Sequence, residues 1–374
     1  MLFFYFTILS YLNITIRYIN KLHSPKTLIF WQGVNKKFKI FLIVLIIERW
    51  YNEDGDGMYY TKKRRIKKGP IIVLIVIILV IILVIVGINL YKHYTSDEYR
   101  LGQAGYNEDE ISEILKFDEK YITYAIEHDY EDDFIPLLQE KYFLWKNYDK
   151  YIKYIDDEYG NTKVDYSRVV SLVNVGANND PYTNTKETDM DKGYAILVNK
   201  YTYLPENYAP DDIVEMSNWY AYPNNSIRQE VYDAFKEMSA AAQEDGYTLI
   251  VNSSYRTSDE QKEIYEDYED SRGKEYADTY AARPDFSEHQ TGLSLDVFSP
   301  GANMSNFADT ETFKWLSENC YKYGFILRYP EGKEEITGYN YEAWHYRYVG
   351  KDLAKKVYDS GLTYDEYYAY YLDD

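Results

Sequence analysis

Residues 287–296 read Ser-Glu-His-Gln-Thr-Gly-Leu-Ser-Leu-Asp, and residues 342–350 read Glu-Ala-Trp-His-Tyr-Arg-Tyr-Val-Gly. Two histidines and a carboxylate, His289, Asp296 and His345, make an open zinc site: three protein ligands, with the fourth position left for water. Water on such a metal has its pKa lowered towards ~7, and a nearby carboxylate can take its proton. Glu342, three residues before His345, can reach the same cleft without being a ligand. A third segment, Ser253-Ser254-Tyr255-Arg256-Thr257, with Gln261 five residues after the arginine, adds a planar guanidinium suited to a carboxylate or a developing oxyanion. Taken singly, each residue also has an ordinary reading. A histidine can be structural, an Asp that ends a strand can be a turn residue, and Trp344-His345 can be core. Gly292 alone asks only for a tight turn. The weight comes from the combination, since two of the chain's five histidines fall in these segments.

Outward from these segments, Tyr247–Tyr255 alternates as Tyr247, Leu249, Val251 and Ser253, which predicts a half-buried strand. Further strands are predicted at Val169–Val175, Ala195–Asn199, 293–298, Phe325–Tyr329 and Ala343–Val349. Helices are predicted over Ser226–Asp245, with Val231, Phe235, Met238 and Ala242 on one face, from Ser258, and over Asp309–Tyr323. Lys351–Ser360 reads as a closing helix with Gly361 at its C′ position, and 270–287 as a polar loop. Helices and strands without regular βαβ alternation predict an α+β domain over 164–374. Before it, 91–163 is rich in Tyr, Asp, Glu and Lys with apolar residues at helical spacing. It reads as a helical stalk or subdomain, with Asn107 and Glu110 as a capping pair and turns at Asp129–Asp133.

The whole chain has 374 residues, of which 46% are hydrophobic and 18% aromatic, so disorder is excluded as its dominant state. A single cysteine, Cys320, excludes an intramolecular disulfide and a Cys-based structural zinc site. The formal charge of −20 argues against a nucleic-acid partner. That charge is uneven. Residues 1–70 hold 13 Lys and Arg against 4 Asp and Glu, whereas residues 71–374 hold 28 against 57. Between the blocks, Ile71 to Leu90 reads IIVLIVIILVIILVIVGINL, uncharged and with Asn89 as its sole polar residue. About 20 apolar residues cross a hydrocarbon core, so 71–90 is predicted to be a transmembrane anchor. The run Lys62-Lys63-Arg64-Arg65-Ile66-Lys67-Lys68 makes 58–70 a cytoplasmic basic segment and puts the C-terminal bulk on the extracellular side. No A-x-A cleavage signature follows the span, so it is expected to remain as a single-pass anchor. The apolar runs Leu2–Leu12 and Phe38–Ile47 fall short of a span, and Met58 reads as an ordinary start. Residues 1–57 are therefore expected to be a mis-assigned upstream extension.

The pattern S-x-H-x-x-G-x-[AS]-x-D followed by E-x-W-H-x-R-Y-V-G resembles the VanY-type D-alanyl-D-alanine carboxypeptidases, zinc enzymes of the wider LAS group of peptidoglycan peptidases. Ser-x-Tyr-Arg-[Ser/Thr] followed by Gln is similar to the same family's upstream element. Leu197-Val198-Asn199-Lys200, with Leu204 and Tyr208-Ala209-Pro210, resembles the start of its catalytic domain. The resemblance covers roughly 195–360, and Leu101–Leu115 is similar to sequences that precede that domain.

The resemblance implies a small antiparallel sheet flanked by helices and one zinc ion per chain on His289, Asp296 and His345. It implies Glu342 as catalytic base and Arg256 as the arginine near the scissile bond, both catalytic and substrate-binding. Gln261 and Ser294 would help hold the substrate's terminal carboxylate or peptide, and Ser287 and Trp344 would line the site. The implied reaction is removal of the C-terminal D-alanine from peptidoglycan stem peptides, a substrate that a wall-facing, membrane-anchored enzyme meets directly. The alternatives are an L,D-carboxypeptidase acting on tetrapeptide stems, decided by the pocket around Gln261, Ser287 and 270–285, and a catalytically silent wall-binding domain. Loss of Glu342 or Arg256 would have favoured the silent domain, and both are present.

Overall fold

A computed structural model describes residues 68–160 and 162–373. The expectations for residues 1–57, and for most of the basic segment 58–70, lie outside these residues. The first helix, α1 (Lys68–Tyr94), contains Ile71–Tyr94, a stretch of 24 residues long and apolar enough to cross a membrane.

From residue 90 onward the chain forms a compact unit of its own. It opens with six helices: α2 (Asp97–Ala104), α3 (Glu108–Ile114), α4 (Glu119–Glu127), α5 (Phe134–Gln139), α6 (Tyr148–Glu158) and α7 (Tyr166–Val175). The predicted cap forms in full. The Asn107 side chain accepts from Glu110 N, and the Glu110 carboxylate accepts from Asn107 N. Leu101, Ile114, Phe134, Leu137, Tyr151 and Ile155 share one apolar core with Val169, Val170 and Val173. The last three correct the strand expected at Val169–Val175. Asp165 caps a helix there by accepting from Arg168 N, and Gly176 closes it in the left-handed region. Burial against the neighbouring helices overrides the β preference of a valine run. The division expected at 164 therefore falls inside the helical core.

The remaining elements are β1 (Lys186–Glu187), β2 (Thr202–Tyr203), β3 (Ile213–Glu215), β4 (Ser226–Arg228), α8 (Gln229–Glu244), β5 (Ile250–Ser253), α9 (Ser258–Arg272), α10 (Lys274–Tyr280), β6 (Ser294–Phe298), α11 (Glu311–Asn319), β7 (Phe325–Tyr329), α12 (Glu334–Thr337), β8 (Glu342–Tyr348), α13 (Lys351–Ser360) and α14 (Tyr364–Tyr371). The architecture is α+β. Four antiparallel strands run in the order β5-β6-β8-β7. Three expectations change. Ile196–Val198 is buried, but it makes no strand beyond a bridge from Asn199 to Thr202. The loop at 270–287 contains α10, whose Ala277 is buried. Finally, α13 is not the last helix, because Thr363 and Glu366 form a capping box that starts α14.

Alternation gives the central sheet two unlike faces. Leu295, Val297, Phe325, Tyr346 and Tyr348 point into the main apolar core with Val231, Phe235, Met238 and Ala242 of α8 and Leu316 of α11. Fully burying a large apolar side chain such as Phe235 contributes about 1.5–3 kcal/mol. On the other face, Ser294 and Asp296 of β6 lie opposite Arg347 and His345 of β8, and Arg347 lies opposite Ile326 of β7. There Ile326 packs with Leu197 and with Ala354, Val357, Tyr364 and Tyr368 of α13 and α14. With helices on both sides, all five residues of β6 are buried.

The turn into β6 depends on Gly292, which has φ 64°, and a Cβ there would meet Arg228 Cγ and Ile213 Cδ1 at 2.8 Å. Gly292→Ala should destabilise the unit by about 1–3 kcal/mol through backbone strain and overlap. Urea unfolding at constant m-value would show the shift, and an unchanged midpoint would contradict this account.

Candidate active site

The strand register places Asp296 directly opposite His345. The short helical turn 288–291, ended by Gly292, swings His289 in beside them. His289, Asp296 and His345 offer donor atoms that all lie within 4.8 Å of one another, and all three residues are buried. The two imidazoles meet edge to face, with ring centres 4.9 Å apart.

Each ring is turned by what its far nitrogen touches. His289 Nδ1 lies 2.7 Å from the Ser254 carbonyl oxygen, which can only accept, so Nδ1 carries the proton. His289 Nε2 then presents its lone pair to Asp296 Oδ1 at 3.5 Å. His345 is turned the other way. Its Nε2 faces Glu288 Oε2 at 3.4 Å, and its Nδ1 lies 3.2 Å from Asp296 Oδ1. In this arrangement, Asp296 Oδ1 is buried, and among the described residues its neighbours are these two ring nitrogens, neither within good hydrogen-bond geometry. His289 Nε2, Asp296 Oδ1 and, once it gives up its proton, His345 Nδ1 converge, a donor set that fits a small divalent cation and leaves one side open.

Glu342 Oε2 approaches His345 Nδ1 at 3.6 Å, and its side chain is 19% exposed where the ligand side chains are under 10%. Burial pushes the Glu342 carboxyl up to about 7, although the adjacent His345 opposes the shift. Burial and the Arg256 charge lower His289 to about 4. His345 moves up to about 9, because its acceptors Asp296 and Glu288 outweigh burial. Burial alone would raise Asp296, yet the two histidines hold it well below the usual carboxylate range.

Arg256 is placed from a helix start. Thr257 caps α9 in a capping box with Glu260, and the Arg256 N–H donates to the His289 carbonyl at 3.2 Å. Its Nη1 donates to Gln261 Oε1 at 2.7 Å, while Gln261 Nε2 donates to the Ala282 carbonyl at 2.7 Å. Both ends of the Gln261 amide are thus engaged by the chain itself. Ser287 is buried at the entry to the His289 turn. Ser294 is fully buried on the Asp296 face, its hydroxyl without a partner among the described residues. Trp344 differs from its expected place lining the site. It stacks on Phe298 at 6.1 Å and packs, half-buried, against the main apolar core.

Two further residues meet the site without having been singled out in the sequence: Glu288, at His345 Nε2, and Tyr329, whose ring lies 5.0 Å from that of His345; Arg328 and Arg347 stand behind Glu288, and Asp365 behind Arg328. Glu288 was in plain view inside the first motif, as a charged residue among positions that are otherwise buried.

The VanY family profile, described as D-alanyl-D-alanine carboxypeptidase, matches residues 224–351. The D-alanyl-D-alanine carboxypeptidase of Enterococcus faecalis is 36% identical over 206 residues, covering 51% of this chain and 74% of that protein. This chain belongs to the VanY family of carboxypeptidases. YodJ of Bacillus subtilis is 45% identical over 179 residues, which is 46% of this chain and 66% of YodJ. Among solved structures, the LdcB LD-carboxypeptidase is 40% identical, covering 50% of this chain and 91% of that one, with a TM-score of 0.48.

Uptake of a divalent cation by this VanY-family site should release protons. A cation favours the deprotonated form of both His345, at about 9 without metal, and Glu342, at about 7. His345 should give up its proton throughout pH 6–8, so about one proton or more should leave per ion bound. Calorimetry in buffers of different ionisation enthalpy measures this, and uptake in that range without proton release would refute the assignment.

Proposed function

We propose that the protein is a zinc-dependent D,D-carboxypeptidase that removes the C-terminal D-alanine from peptidoglycan stem peptides. The observation that carries this reading is a buried three-donor centre with one unliganded carboxylate, Glu342, at its open side and the Arg256 charge close enough to act on it. His289, Asp296 and His345 would hold one zinc ion per chain, which when bound would polarise the scissile carbonyl and acidify a water molecule.

The chain's own residues do the rest. Glu342, poised near neutral pH, takes the proton of the attacking water as the new C–O bond forms. The Arg256 guanidinium, held by Gln261, faces the negative charge that develops on the former carbonyl oxygen. As the C–N bond breaks, Glu342 passes its proton to the leaving amine, and D-alanine departs. Gln261 acts here by orienting Arg256. Ser287 and Ser294 shape the walls of the site, and the substrate contact expected of Trp344 is not part of this reading.

We propose that the C-terminal unit lies on the cell-wall side with Ile71–Tyr94 as its anchor, a reading supported by the span's length and the basic run before it. Protease added to intact cells should therefore digest residues beyond 91. Protection until the membrane is broken would reverse the topology.

Glu342→Gln should keep zinc and fold yet lose turnover by about 10²–10⁴-fold, since an amide cannot take the proton. Arg256→Lys, which keeps charge but not the planar fork, should impair both KM and kcat. D-alanine release from pentapeptide and tetrapeptide stems, with zinc measured on the same samples, tests both. Near-normal kcat in Glu342→Gln ends the mechanism, and release from the tetrapeptide alone makes the enzyme an L,D-carboxypeptidase.

A further inference from the structure

The zinc ligands and the general base account for one side of His345. Its other side faces a second set of buried charges. Glu288, Arg328, Arg347 and Asp365 are each at most 2% exposed. Glu288 Oε1 accepts from Arg328 Nε at 2.7 Å and from Arg347 Nη1 at 2.8 Å. Arg328 continues to both oxygens of Asp365 on α14. Arg347 is fixed in turn by the carbonyls of Tyr194 at 3.1 Å and Ile196 at 2.8 Å.

These four residues carry two positive and two negative charges, so they balance without His345. Glu288 Oε1 is saturated by the two guanidiniums, which leaves Oε2 with the His345 ring nitrogen as its contact at 3.4 Å. We propose that Glu288 is a positioning residue: by accepting the Nε2–H of His345 it fixes the tautomer that turns Nδ1 towards the metal position. Arg328 and Arg347 clamp its carboxylate, and Asp365 ties the clamp to the C-terminal helix. The two imidazole ligands are then unequal. His289 leans on a neutral carbonyl, whereas His345 leans on an anion that makes its metal-facing nitrogen the better donor. A plain structural role would have the network do no more than pin α14 to the sheet.

This inference rests on the zinc reading above, and the experiment separates the two. The full-length chain in detergent is stripped of metal, and zinc affinity is measured by competition with a chelating indicator. In the zinc-loaded protein, nitrogen-labelled histidine rings are assigned by long-range proton–nitrogen correlation. The wild type should show His345 with the proton on Nε2 and the metal on Nδ1. Glu288→Gln should weaken zinc binding about 10–100-fold, with Glu288→Asp recovering part of the loss. Ser171→Ala, which removes only the Ser171–Glu366 bond to α14, should leave affinity unchanged. A wild-type His345 protonated on Nδ1 overturns the inference even if Glu288→Gln fails to fold, and so does a folded Glu288→Gln that binds zinc as tightly as the wild type. A wild-type chain that takes up no zinc sinks the metal reading, and this inference with it.

Discussion

Holding ionised side chains on a dry sheet face costs several kcal/mol per charge unless each one is paired, and that constraint organises the structure. Asp296, Glu288, Asp365, Arg328 and Arg347 are all buried on the side of the sheet that α13 and α14 cover. Two carboxylates answer two guanidiniums. Among the described residues Asp296 contacts two histidine nitrogens and forms no ion pair with a lysine or arginine, although the Arg256 charge lies near it. A well-packed apolar layer would hold the helices about as well, so charge on this face is better explained by what the leftover carboxylate is for. A divalent cation, on the function proposed above, would supply further positive charge there.

Much of the site could be read directly from the sequence, because metal ligands are constrained by residue type and a strand fixes which residues share a face. His289, Asp296, His345 and Glu342 come together as their chemistry suggested, and β7 and α13 have the expected bounds. Elsewhere the local pattern and the tertiary setting disagreed. A valine run at 169–173 is as good a strand as a helix until its neighbours are known, and here those neighbours are helices. Helix α14 was hidden because its buried face is built of Tyr364, Asp365, Glu366 and Tyr368, residues that read as surface. Asp365 can be buried only because Arg328 waits for it on β7, a pairing that spans 37 residues and leaves no local signature. The same holds for Glu288 and Arg347, 59 residues apart.

Trp344 and Gln261 illustrate how a motif can mark a position without fixing its role. The strand that points His345 at the metal position stacks Trp344 on Phe298 against the apolar core, so the tryptophan helps hold that strand. Gln261 lies beside the site, but its carbonyl is spent on Arg256 and its amide on Ala282. Its second amide N–H is not used by either bond, so orienting Arg256 and donating to a substrate carboxylate are compatible.

That arrangement gives the segment around α10 a physical link to the reacting centre. The segment was expected to be loop, and it ends in the carbonyl that anchors Gln261. Any displacement of Ala282 moves the acceptor of the Gln261 amide, and through that amide the guanidinium of Arg256. The same segment is braced by Asp278, which takes two hydrogen bonds at 2.9 Å from Arg283, and by the buried Lys200, which donates to the Asp278 carbonyl at 2.5 Å. Arg256 is thus held from two sides: by the capped start of α9 through its backbone, and by α10 through Gln261. Position at a transition state is worth most when the positioned group cannot relax away from it, and here its tether reaches back to a lysine of the 197–200 segment.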